Sequence, residues 1–275
     1  MIRGHRPKKA SVEEGTKPPQ RRGLLLPVAN PESVGPLIAI AFAAKAPDDP
    51  DPLILAMRRR QESAGKSAKT IAPATPALNA AIEFARAQGE KIDTRAIWSD
   101  DPARDLIAAA NDAARAWTLL GFHRGGFGET MGGVVRDVFD AAKSFSVGVF
   151  IHGTDQPIER VSVALDGRDG RAALDLAVRI ARNKRCKLRA LLVSHRPSQP
   201  EDDLLEMLRD ARAAMGKLFH SDVLTERSLR QLFKQTPGRL LIVGRKLAEE
   251  VGMPLDEVPG GDRCVIVVQG PAEED

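Results

Sequence analysis

The sequence predicts an α/β protein made of two copies of one five-stranded parallel-sheet unit. Short apolar runs alternate with longer stretches of helical period, which is how strands buried on both faces by crossover helices read. The alternation starts again near residue 160, and self-similarity over so long a period indicates a repeated unit. A chain of 275 residues, 43% hydrophobic and 28% charged, also has the makeup of about two ordinary globular domains.

In the first copy Leu24 to Ala29 is a continuous apolar run closed by Asn30-Pro31. Val34, Leu37, Ile38, Ala41 and Phe42 then recur at helical spacing, giving strand and amphipathic helix. Pro52 to Met57 is the second strand, and a polar connector from Arg58 to Lys69 leads to a helix with Thr75 at its N-cap and Pro76 at N1. Lys91 to Trp98 is the third strand. Asp100-Asp101-Pro102 opens a helix with Leu106, Ile107 and Ala110 on its apolar face. Thr118 to Leu120 is the fourth strand, ending in Gly121; after a glycine-rich loop, Val134, Val135, Val138 and Phe139 form the fourth helical stripe, and Phe145 to Ile151 the fifth strand.

The second copy follows the connector His152 to Pro157. Val161 to Leu165 and the helix through Ala173, Leu174, Ala177 and Val178 superpose on Leu24 to Ala44 at a shift of 137 residues. Leu241 to Gly244 matches Thr118 to Gly121 at a shift of 123, and Cys264 to Val268 matches Ser146 to Phe150 at 118. The expected division is therefore a disordered basic linker over 1–22, a first domain over 23–151 and a shorter second domain over 158–270.

Charge narrows the function. The chain carries 41 Lys+Arg and 37 Asp+Glu, net +4, with a pI near 9.2. Residues 1–22 hold seven basic and two acidic side chains, leaving 34 basic and 35 acidic in the rest, a net of −1. The basicity belongs to a tail without hydrophobic periodicity, which reads as a solvated or juxtamembrane linker. With aromatics at 4% and no tyrosine, no base-stacking platform is readable, so no nucleic-acid partner is expected. No apolar run approaches the roughly 18 residues of a membrane span, and Met1 is not followed by an apolar signal segment. Cys186 and Cys264 each sit at the edge of an apolar run; they read as buried thiols of a cytoplasmic protein, not as a disulfide framework or zinc site.

One segment carries the signs of a ligand site. Leu119-Leu120-Gly121-Phe122-His123-Arg124, continuing through Gly125, Gly126 and Gly128 to Met131-Gly132-Gly133-Val134, joins a strand to a helix. Backbone N–H groups, a helix N-terminus and the side chains of His123 and Arg124 suit an anion there. Equally, these glycines suit a flexible turn, with Gly132-Gly133 letting the helix pack closely on the sheet.

At this loop the sequence resembles the universal stress proteins, in tandem. Leu24-Leu25-Leu26-Pro27-Val28-Ala29-Asn30-Pro31-Glu32-Ser33, the Leu119 to Val134 segment and Phe145 to Ile151 are similar to the cytosolic C-terminal region of bacterial monovalent cation/proton antiporters. The resemblance spans residues 23 to 270. It implies two doubly wound, adenine nucleotide alpha hydrolase-like domains, and a non-catalytic regulatory region that senses a small anionic ligand or contacts the antiporter's membrane domain at the cytosolic face of the inner membrane. The alternative it implies is a free-standing tandem stress protein that binds ATP or AMP and self-associates through its Usp-like domains.

The family's ATP motif is an Asp ending strand one and a Gly-x2-Gly-x9-Gly-Ser/Thr loop after strand four. In the first half Ala29 stands in the Asp position, Arg124 replaces the second glycine, the spacer is two residues short, and Gly132-Gly133 replaces Gly-Ser/Thr. In the second half Asp166 keeps the Asp position, but Arg245-Lys246-Leu247 follows Gly244. Ligand sites in such sheets form at the carboxyl ends of the strands, so the two remnants are not expected to combine. No resident cofactor is expected. Gly121, His123, Arg124, Gly132, Gly133 and, from the second half, Asp166 are the candidate anion contacts.

Other candidates give bland readings. Gly65-Lys66-Ser67 lacks the first glycine of a P-loop, whose place Arg60 holds. The five histidines have no metal-ligand spacing. Asp166 with Asp169 reads as a loop carboxylate beside a helix cap before it reads as an acid/base pair. No catalytic set is visible, and no enzymatic activity is expected.

Overall fold

The computed structural model describes residues 21–58, 76–122, 133–165, 167–194, 202–225, 240–250 and 264–272. In chain order the first part gives β1 (Leu24–Val28), α1 (Pro31–Ala44), β2 (Leu53–Arg58), α2 (Pro76–Gln88), β3 (Asp93–Trp98), α3 (Pro102–Asp112), β4 (Trp117–Phe122), α4 (Gly133–Ala141) and β5 (Ser146–Ile151). The second gives β6 (Arg160–Leu165), α5 (Gly167–Lys184), β7 (Lys187–Ser194), α6 (Asp202–Met215), a 3-10 turn (Gly216–Leu218), β8 (Phe219–Thr225), β9 (Leu240–Gly244), α7 (Arg245–Glu250) and β10 (Cys264–Gln269).

The ten described strands join one sheet in the order β3-β2-β1-β4-β5-β10-β9-β6-β7-β8. Every neighbouring pair is parallel except β5 with β10, which run antiparallel at the centre. Each half thus has the doubly wound order 3-2-1-4-5 counted from its outer strand. The registers correspond as well. Leu25 faces Leu53 and Thr118 in the first half, and Ser162 faces Arg189 and Leu241 in the second. Thr118 faces Val147 as Leu241 faces Val265. These pairs fall at the sequence shifts of 137, 123 and 118.

Side chains alternate across the strands and fill two core layers. One packs α1, α2, α5 and α6 against Leu24, Leu26, Val161 and Val163; the other packs α3, α4 and α7 against Leu25, Leu55, Val147 and Val243. Burial is complete at the centre, where every residue of β5 is buried, and fails at the rim, where β3 is exposed along most of its length. Gly148 on β5 lies where a Cβ would come within 2.7 Å of Leu119 Cδ2 and 3.3 Å of Ile266 Cγ2, so the seam between the halves needs a residue without a side chain.

Helix ends follow the local signals. Asn30 accepts from Glu32 N at 3.0 Å ahead of Pro31, and Asp101 accepts from Arg104 N at 3.1 Å ahead of Pro102. Asn30 is also why the first apolar run stops at Val28 as a strand. Among the described helices, three close on a left-handed residue and a 6→1 bond, with Glu90 N bonded to Ala85 O, Arg115 N to Ala110 O and Cys186 N to Ala181 O. The left-handed residue is Gly89 after α2, but Ala114 (φ 45°) after α3 and Arg185 (φ 52°) after α5.

Both faces of the seam are fastened. On one face, Asn183 of α5 donates to the carbonyls of Ala43 (2.8 Å) and Lys45 (2.7 Å) at the end of α1, and Arg179 pairs with Asp49 at 3.2 Å. These are acceptors that a helix C-terminus leaves unsatisfied. On the other face, Arg245 of α7 reaches Asp140 of α4 at 2.9 Å and lies over the Phe139 ring at 5.1 Å.

Candidate anion sites at the strand ends

At the carboxyl end of the first half, Gly121 lies in β4 one residue before its end, and Gly133 is the first residue of α4. Both are exposed. A Cβ at Gly121 would make one ordinary contact, with Leu37 Cδ2 at 3.4 Å, and one at Gly133 would meet only Asp137 Oδ2 at 3.8 Å. Close helix-to-sheet packing therefore does not account for Gly133. His123, Arg124 and Gly132 lie outside the described residues, as do Asp166 and the Gly65-Lys66-Ser67 stretch. Next to Ala29, the Asn30 side chain is committed to capping α1.

At the carboxyl end of the second half, the charged side chains of Asp169 and Arg245 beside β9 and β10 are already engaged. Asp169, in the first turn of α5 and 4% exposed, accepts from Gly270 N at 3.1 Å and Lys246 N at 3.4 Å. It ties α5 to the chain leaving β9 and β10, a structural role instead of acid/base work. Where the family's phosphate loop would follow strand four, α7 starts at Arg245, directly after Gly244. The Arg245 guanidinium bonds Glu249 (2.9 Å), Asp140 (2.9 Å) and Gln269 Oε1 (2.9 Å). Burial opposes its charge, but Glu249 and Asp140 outweigh that and hold it above the ordinary arginine range. It is not free to grip a ligand. Nothing in the sequence pattern flagged the bridge from Arg245 to Asp140, because Asp140 lies about a hundred residues earlier in the chain.

β4 and β6 run in opposite directions across the β5–β10 seam. Their carboxyl ends therefore lie on opposite borders of the sheet, which keeps any site after β4 apart from any site after β6.

A cavity of about 330 Å³ opens beside the seam, lined by Pro36, Ile40 and Phe84 and by His152, Thr154 and Lys184. His152 Nε2 lies 3.3 Å from Asp155 Oδ1, and the Cys264 thiol donates to Thr154 O at 3.5 Å. Both cysteines are buried and free, and burial pushes the Cys186 thiol above its ordinary range. Among the described residues no three His, Cys, Asp or Glu side chains group as a metal site, and no helix is long and apolar enough to cross a membrane.

No model of a known protein family matches the chain, and no curated protein does. Solved structures match over nearly its whole length. A universal stress protein from Archaeoglobus fulgidus DSM 4304 is 16% identical with a TM-score of 0.55, covering 93% of this chain and 98% of its own. The cytoplasmic domain of a prokaryotic cation chloride cotransporter is 14% identical with a TM-score of 0.58, covering 92% and 97%. A universal stress protein from Pseudomonas aeruginosa UCBPP-PA14 is 14% identical with a TM-score of 0.53, covering 90% and 93%. At such identities the likeness is one of fold: the chain has the universal stress protein fold.

Proposed function

We propose that the chain is a non-catalytic regulatory module made of two stress-protein-like domains, working at the cytosolic face of a membrane as part of a cation/proton antiporter. The observation that carries this reading is its likeness over almost the whole length of both chains to a transporter's cytoplasmic domain. The fastened seam supports it too. With Asn183, Arg179 and Arg245 bridging the halves, the body transmits a push as one piece, and a ligand signal is expected to act through the loops at the strand ends.

The second reading, a free-standing stress protein that binds ATP or AMP, is favoured by the likeness to stress proteins. Against it, Ala29 replaces the acid after β1, and Asp169 and Arg245 are occupied in the second half. Two measurements separate the readings. An antiporter predicts that the reading frame upstream of residue 1 encodes about a dozen apolar segments, and that deleting residues 23–270 from that product alters cation/proton exchange in inverted vesicles. A nucleotide site with a micromolar constant predicts about 4 kcal/mol of stabilisation at a thousandfold excess of ligand. Absence of any melting shift with millimolar ATP, AMP or cyclic dinucleotides discards the nucleotide reading; exchange unchanged by the deletion discards the regulatory one.

A further inference from the structure

We infer a second anion site, at the amino ends of β6, β7 and β8, that takes a phosphate-bearing ligand. A cavity of about 430 Å³ there is lined by Arg160, Lys187, Arg189, Arg212, His220 and Asp222. Arg160 opens β6, Lys187 and Arg189 lie in the first turn of pairing of β7, and Arg212 sits in the last turn of α6. The single acid is already used, with Asp222 Oδ2 at 2.7 Å from Arg189 Nε. Arg160, Lys187 and Arg212 have no ion pair with any described acid.

Two features make this more than a solvated face. Arg160 and Lys187 are register partners on adjacent strands, and like charges placed opposite one another destabilise a sheet. The other half of the molecule shows how the same frame avoids the problem. By the register correspondence, Asp51 and Asp93 stand in the first half where Lys187 and His220 stand in the second. There Lys45 pairs with Asp51 at 2.7 Å, and the buried Arg115 faces Asp93 at 3.6 Å and donates to Asp51 O at 3.1 Å. The first half neutralises its amino end from within, whereas the second leaves a surplus of three cations around one cavity. Guanidinium and ammonium groups so arranged match the oxygens of a phosphate group. Leu188 and Phe219, both buried, add apolar wall, and the volume admits more than a bare phosphate. The site is independent of the loop after β4 and of the antiporter reading.

The ligand is a free phosphate compound or the headgroup of an anionic lipid, and the test separates the two. Pyrophosphate is titrated calorimetrically into the full chain, and flotation is measured with phosphatidylglycerol and phosphatidylcholine vesicles. Binding is expected to weaken at least tenfold in Lys187→Glu/Arg212→Glu and to stay unchanged in Arg86→Glu, an exposed charge reversal in the first half. A free ligand gives pyrophosphate binding without flotation; a headgroup gives flotation with phosphatidylglycerol only. Lys187→Asp, which copies the first half, and Arg212→Ala are the variants of choice if the double reversal melts early. Failure of both pyrophosphate and anionic vesicles to bind overturns the inference, as does undiminished binding in these variants.

Discussion

The two halves share strand order and register, yet among the described residues charged side chains tie down the amino end of the first half and part of the carboxyl end of the second. In the first half the amino end is sealed, by Arg115 with Asp93 and Asp51 and by Asp49, which accepts from Gly23 N at 3.1 Å and Ala46 N at 2.9 Å. Burial pulls the Arg115 guanidinium below its ordinary range, and Asp93, Asp49 and Asp51 offset part of that. Gly23 is held to glycine by a φ of 74° and by Arg115 Nη1 and Pro50 Cγ, each 2.8 Å from where its Cβ would stand. In the second half the described fastening lies at the carboxyl end instead, where Asp169 and Arg245 tie down the chain beside β9 and β10. A single frame tolerates either solution, since what it requires is that buried backbone and charge be satisfied, not that a given end be the working one.

The largest test of that contrast is Asp169→Ala. It strands the buried Gly270 N–H and loosens Lys246, so stability to urea is expected to fall by about 3 kcal/mol. A loss below about 1 kcal/mol would falsify the view that this carboxylate seals the second half. Asn183→Ala removes two hydrogen bonds across the seam and is expected to cost about 1 kcal/mol; an unchanged midpoint means the seam holds without Asn183, through the β5–β10 ladder, the ion pairs and core packing. Replacing Ala114 or Arg185 by glycine carries the opposite sign. Each is expected to gain about 0.5–1 kcal/mol by relieving a left-handed residue that α2 already assigns to Gly89, and a loss at both positions refutes the strain.

The smallest effect is that of Cys186. A thiol whose pKa is raised by burial keeps its proton in the native state after the unfolded chain has lost it. Its contribution is therefore whole below the unfolded value, about 8.5, and is lost as pH rises from there through the raised native one. Cys186→Ala is expected to flatten stability above about pH 8.5 while leaving its slope at pH 6–7 unchanged. An identical alkaline slope in both proteins contradicts the burial argument.

The strands of the first half were legible because β1, β2, β4 and β5 are buried on both faces and so read as apolar runs. Small offsets occur where chemistry is mixed: β4 begins at Trp117 instead of Thr118, and β3 at Asp93 instead of Lys91. The repeat too was readable, since Val161–Leu165, Leu241–Gly244 and Cys264–Val268 keep apolar identity at shifts that the register reproduces. What stayed hidden was α6, together with β8, whose rim position lets Phe219–Thr225 carry His220, Ser221 and Asp222, and the side chains that fasten the structure. Asp169, Asn183 and Arg245 act on backbone and charge contributed by distant segments, and no local spacing announces such partners. Of the candidate contacts, Gly121 and Gly133 are where the strand-then-helix reading put them, and the others fall outside the described residues.

The central antiparallel pairing has one more consequence. Each half has spent its fifth strand on the other, so among the described strands β3 and β8 terminate the sheet. Growth by strand addition must start from one of these two rims. If β3 of one molecule met β8 of the next, nothing in the geometry would close the series and a fibre would form; like rims meeting would stop at two. The charges that interrupt the rims, Asp93 and Arg95 on β3 and Asp222 on β8, then act as gatekeepers against polymerisation.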